Sequence, residues 1–62
     1  MNGKAVIKLL EKDGWVHIST HGSHFKLKKP GYLPIIVPVH GKNDLKIGTL
    51  HSIEKIAGIK LR

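Results

Sequence analysis

The chain has 62 residues, enough for one domain that buries only about 60% of the surface its unfolded form exposes, and it contains no cysteine. So thin a core excludes a deep enclosed pocket and favours a shallow surface site suited to an extended polymer, while the absence of cysteine excludes disulfides and thiolate chemistry. Eleven Lys and Arg against four Asp and Glu give a formal charge of +7, which makes nucleic acid the leading partner class. Anionic membrane is the competitor. No apolar run approaches the ~20 residues of a span, and neither predicted helix sets aromatics opposite a basic face. Met1 leads directly into a polar helix start without a signal-peptide core. The expectation is one cytoplasmic domain over residues 1–62 with no membrane contact.

Asn2 suits an N-cap, and beyond it Val6, Ile7, Leu9 and Leu10 form one stripe of a helical wheel, with Lys4, Lys8, Glu11 and Lys12 opposite. Gly14, after the polar Asp13, suits the left-handed residue that ends a helix. Trp15 to Ser19 and Ser23 to Lys28 read as two strands of a hairpin, separated by a Thr20-His21-Gly22 loop. Pro30-Gly31 has the order of the two central residues of a type II turn. Pro34 to His40 reads as a third strand, and Pro38, which has no N–H for a ladder, puts it at a sheet edge or on a bulge. After the polar connection Gly41-Lys42-Asn43-Asp44, helical period returns from about Lys46 to Ala57, with Ile47, Leu50, Ile53, Ile56 and Ala57 on one side. Gly58 ends that helix and Ile59 is positioned to fold back on its last turn. The predicted fold is an α+β two-layer sandwich, α-β-β-β-α, with a three-stranded antiparallel sheet and both helices on one face.

The charge map narrows the chemistry. All four carboxylates, Glu11, Asp13, Asp44 and Glu54, lie outside the stretch from Gly14 to Asn43, which carries Lys26, Lys28, Lys29, Lys42 and four of the five histidines. Two-metal nucleases hold their ions with clustered Asp and Glu, and glycosidases need a carboxyl pair, so neither has its parts here. No cofactor is implied. His17, His21 and His24, spread over a strand, a turn and a second strand, lack the fixed ligand spacing of a helical metal motif. Histidine and lysine are left to act on phosphate. If Phe25 and Leu27 face the helices, His24, Lys26 and Lys28 form a row on the uncovered side of the sheet; His40 joins that side if Val37 is core. Cleavage of RNA by its own 2′-hydroxyl needs a proton acceptor, a proton donor for the departing 5′-oxygen and positive charge at phosphorus. Imidazole, with an unperturbed pKa near 6.5, suits either proton role.

The tripeptide Gly22-Ser23-His24 followed by Phe25-Lys26-Leu27-Lys28-Lys29, the segment Lys-Leu-Leu-Glu-Lys-Asp-Gly-Trp at 8–15, Val37-Pro38-Val39-His40, and Gly48-Thr49-Leu50-His51-Ser52-Ile53 through Ala57-Gly58-Ile59 occur here in one order. Together they resemble the HicA family of bacterial toxins, small RNA-cleaving proteins of toxin-antitoxin pairs. The resemblance implies a double-stranded RNA-binding-domain-like fold, messenger RNA as substrate, arrest of translation and a cognate HicB-type antitoxin that covers the active face. It assigns cleavage to His24 as general acid or base. Beside it, Gly22, Ser23, Lys26, Lys28, Lys29 and His40 are the expected RNA-binding or supporting residues. Many relatives follow the signature histidine with a second one, where this chain has Phe25.

Two other functions fit parts of the sequence. A non-catalytic double-stranded RNA-binding module shares the topology and the charge, but such modules present a lysine cluster at the start of the second helix, where only Lys42 and Lys46 flank Asp44. A basic interaction subunit with incidental histidines is the third. For His17, His21 and His51 an ordinary surface role is the simpler reading, Trp15 reads as a core or hairpin-packing residue, and Tyr32 reads as surface packing rather than a base-stacking platform.

Overall fold

In the computed structural model, which describes residues 1–61, the order is α1 (Gly3–Lys12), β1 (Val16–His21), β2 (His24–Lys28), β3 (Ile35–Pro38) and α2 (Ile47–Ala57). The strands form one antiparallel sheet in the order β1-β2-β3, so the α-β-β-β-α sandwich expected from the sequence is the fold observed. Asn2 does cap α1, its Oδ1 accepting the Ala5 N–H at 2.9 Å. Asp13 closes the helix and Gly14, at φ 97°, takes the left-handed position after it. Gly58, at φ 71°, ends α2 with its N–H donated to the Glu54 carbonyl, and Ile59 packs back against the core.

One core holds the layers together. Val6 and Leu10 of α1 meet Leu50, Ile53 and Ala57 of α2 over Leu27, Ile35 and Val37 of the sheet, with Trp15 and Leu61 closing the ends. Leu27 lies opposite Ile35, and Phe25 opposite Val37, so these four share the covered face. Two residues of the predicted stripes are not in this core: Leu9 sits at the margin of α1 and is exposed, and Ile47, at the first position of α2, points past the sheet into solvent at 58% exposure. A stripe read from helical period includes residues at the ends and flanks that a small sheet is too narrow to cover.

The strand limits also differ from the sequence reading. Thr20 and His21 belong to β1, and the hairpin loop is the two residues Gly22-Ser23 rather than Thr20-His21-Gly22. The third strand is shorter than Pro34 to His40, and Pro38 stands at its last position on an edge strand, where its missing N–H leaves no ladder bond unmade. Pro30-Gly31 makes the expected turn: Gly31 has φ 84° and the Tyr32 N–H donates to the Lys29 carbonyl at 3.1 Å. Tyr32 packs edge-on against buried Trp15, with ring centroids 5.5 Å apart.

Gly3 is where α1 touches β3. A Cβ at this buried position would lie 2.6 Å from the Pro38 carbonyl oxygen and 2.8 Å from Val39 Cγ2. Alanine gains up to about 1 kcal/mol over glycine in helix propensity, whereas overpacking a fitted contact costs about 1–3 kcal/mol, and the obstructing atom is backbone. Gly3→Ala is therefore expected to lower stability by about 1–2 kcal/mol in a urea titration, and an unchanged midpoint would mean that α1 can slide off β3 at no cost.

Candidate nucleic-acid interface

The site begins with the register of β2. Phe25 and Leu27 face the helices, so His24, Lys26 and Lys28 alternate onto the uncovered face. Successive members of this row are two residues of strand rise apart, about 6.8 Å. His24 and Lys28 are exposed, and Lys26 is half-buried between Ser19 on β1 and Ile36 on β3. The expected histidine and lysine row is thus present. Exposed Val16 and Ile36 flank it, opposite Lys28 and Lys26 respectively.

The turn brings in a residue that the sequence reading left as surface. Gly22 has φ 59° and no residue other than glycine has positive φ among the described residues; glycine at the first central position followed by a residue of negative φ matches a type II′ hairpin turn. This two-residue loop places His21 directly opposite His24. Cross-strand partners project from the same face with Cβ atoms about 4.5–5.5 Å apart, so His21 and His24 are neighbouring positions at the turn end of the row. The Ser23 carbonyl accepts the Val39 N–H at 2.7 Å, tying the turn to the chain beyond β3. The available signal was the dipeptide itself, since Gly-Ser between two strand-like runs is a two-residue hairpin loop.

A bulge makes that pairing possible. His17 lies opposite Leu27 and Ser19 opposite Lys26, leaving Ile18 unpaired between them. One extra residue shifts the side-chain phase, so His17 shares the face of Leu27 while His21 shares that of His24. His17 stacks on Phe25 at 5.0 Å between centroids, with Nε2 2.7 Å from the Thr20 hydroxyl and 3.0 Å from the Ser19 carbonyl. His17 and His24 are separated by the sheet. Among the described residues, no three His, Asp or Glu side chains converge as a metal site.

The other predicted residues are placed differently. Lys29 Nζ lies 3.2 Å from Asp13 Oδ2 and 5.0 Å from the centre of the Tyr32 ring, so it braces the corner between α1 and the sheet instead of extending the row. His40 follows β3 and lines a hollow that runs from Pro38 through Asn43 and Asp44 to Lys46 and Thr49 at the start of α2. The four carboxylate side chains, all among the described residues, stay off the open face. Asp13 is engaged by Lys29, Glu54 accepts the Leu61 N–H at 2.7 Å, Asp44 lies in the connection before α2 and Glu11 is on α1. No helix among the described residues is long and apolar enough to cross a membrane.

A family model described as HicA toxin of bacterial toxin-antitoxin matches residues 3–59, a span that takes in all five elements and the whole open face. No curated protein matches the chain.

The Gly22 position leaves open space around a would-be Cβ, so a side chain there meets only the backbone penalty. Gly22→Ala is expected to cost about 1–2 kcal/mol, the steric cost of the left-handed region for an L-residue, and D-alanine introduced by chemical synthesis should not carry that cost. Equal thermal midpoints for the L and D variants would contradict this turn geometry.

Proposed function

This chain belongs to the HicA toxin family of bacterial toxin-antitoxin systems, and from that premise we propose that it is a metal-independent endoribonuclease that cleaves messenger RNA and so inhibits translation. The observation that carries the reading is the uncovered sheet face, where His24 heads a row with Lys26 and Lys28 and, among the described residues, no carboxylate side chain joins them. The chemistry available to such a face is transesterification. The RNA 2′-hydroxyl loses its proton to a base, the 2′-oxygen bonds to phosphorus, and the bond from phosphorus to the 5′-oxygen breaks as that oxygen is protonated. The products are a 2′,3′-cyclic phosphate and a 5′-hydroxyl, with no net gain or loss of electrons. His24 serves as general acid or base. Lys26 and Lys28 neutralise the charge that builds at phosphorus.

The remaining residues support this centre. Gly22 and Ser23 form the turn that fixes His24, Lys29 braces the corner from which β2 leaves through its ion pair with Asp13, and His40 lies where RNA passing the β3 edge would run. The system's antitoxin is proposed to be of the HicB type and to cover the same face, because that face combines a basic row with exposed Val16 and Ile36. A partner that binds only the folded chain adds about 2.7 kcal/mol of stability at a hundredfold excess over its Kd.

Purified chain incubated with long single-stranded RNA in excess chelator should yield fragments ending in 2′,3′-cyclic or derived 3′-phosphate, and His24→Ala should lower the rate by about 10²–10⁴-fold, the usual size of a proton-transfer contribution. RNA binding by both proteins with cleavage by neither would instead identify a non-catalytic double-stranded RNA-binding module. Binding to that RNA should weaken with salt, and Lys26→Ala or Lys28→Ala should each reduce the slope of log affinity against log salt by about 0.7. Lys29→Ala should leave the slope alone and lower the unfolding midpoint, whereas a reduced slope would place Lys29 on the phosphate track.

A further inference from the structure

We infer that His21 is a second catalytic residue, exchanging a proton with one reacting oxygen while His24 exchanges one with the other. This rests on the ribonuclease reading above and names the partner that reading leaves open. The inference comes from geometry. In-line displacement puts the entering 2′-oxygen and the leaving 5′-oxygen on opposite sides of phosphorus, so one imidazole cannot touch both at once. Two imidazoles carried on Cβ atoms about 5 Å apart can reach across one phosphate. His21 and His24 are such a pair: directly opposed across the Gly22-Ser23 turn, both exposed, and on the face that bears Lys26 and Lys28.

The competing groups are otherwise placed. Tyr32 is packed against Trp15, Lys29 is held by Asp13, and His17 is on the helix-side face with Phe25. Around the pair, the charged and titratable neighbours are Lys26 two residues along β2 and Lys28 beyond it, while Pro38 is the β3 residue opposite His24. His40 lines the hollow that starts at Pro38, together with Asp44 and Lys46. The Ile18 bulge strengthens the case, because continuous alternation from His17 would turn His21 to the helix side.

The test compares the full-length parent with His21→Ala, His21→Gln, His24→Ala and His40→Ala, measuring cleavage across pH on ordinary RNA and on RNA whose scissile 5′-oxygen is replaced by sulfur. A thiolate departs without protonation, so the sulfur substrate restores a variant that lacks only the acid. The expected result is a bell-shaped parental profile, a loss of about 10²–10⁴-fold in both His21 variants with RNA affinity within about threefold of the parent, and one limb of the bell missing. Either the His21 or the His24 variants, but not both, should recover on the sulfur substrate. His21 variants that keep the parental rate and both limbs while His24→Ala is inactive would overturn the inference and leave the ribonuclease reading standing, as would loss of a limb in His40→Ala instead. A parent that binds RNA without cutting it overturns both.

Discussion

Everything on the open face follows from the central strand being covered on one side only. Leu27 is fully buried and Phe25 is packed against the core, and strand alternation then leaves His24, Lys26 and Lys28 nowhere to go but the opposite surface. Full burial of Leu27 is worth roughly 1.5–3 kcal/mol and partial burial of Phe25 adds to it, more than an exposed histidine or lysine gains at the surface. The core residues therefore set the direction of the outward-facing ones. A one-residue slip of β2 would put two lysines into the core and is excluded by the cost of burying unpaired charge.

Two glycines act at the points where a side chain would interfere. Gly3 lets α1 lie on the backbone of β3, which holds the helix layer close to the sheet, and Gly22 lets the hairpin turn in two residues. The first positions the scaffold and the second positions the histidines. A loop of another length would set a different register and closing pair, whereas the two-residue turn makes His21 and His24 the closing pair of the ladder. The bond from Val39 N–H to the Ser23 carbonyl then limits movement of the turn relative to β3.

A domain this small has little stability to spare. Its open face nonetheless keeps Val16 and Ile36 exposed beside a basic row, an arrangement that gains nothing for the isolated fold. Membership of a toxin-antitoxin family implies a protein partner, and a partner covering this face, as proposed above, would offset both the apolar exposure and the mutual repulsion of the lysines. The same features attract a polyanion, so under the function proposed above RNA and antitoxin would compete for one surface.

The element order, the amphipathic helices, the Pro30-Gly31 and Gly58 terminations, the core position of Trp15 and the outward row of His24, Lys26 and Lys28 were all determined by the sequence itself. Each depends on local chemistry: a helical or strand period, a glycine tolerant of positive φ, a proline without an N–H. Exposure of Leu9 and Ile47, diversion of Lys29 to Asp13, and the hollow beside His40 depended instead on how far a narrow sheet reaches and on which loop lies next to it. The pairing of His21 with His24 belongs with these. It required both the exact loop length and the unpaired Ile18, and a bulge leaves no mark in a strand's composition because it is created by how two strands match, not by either one alone.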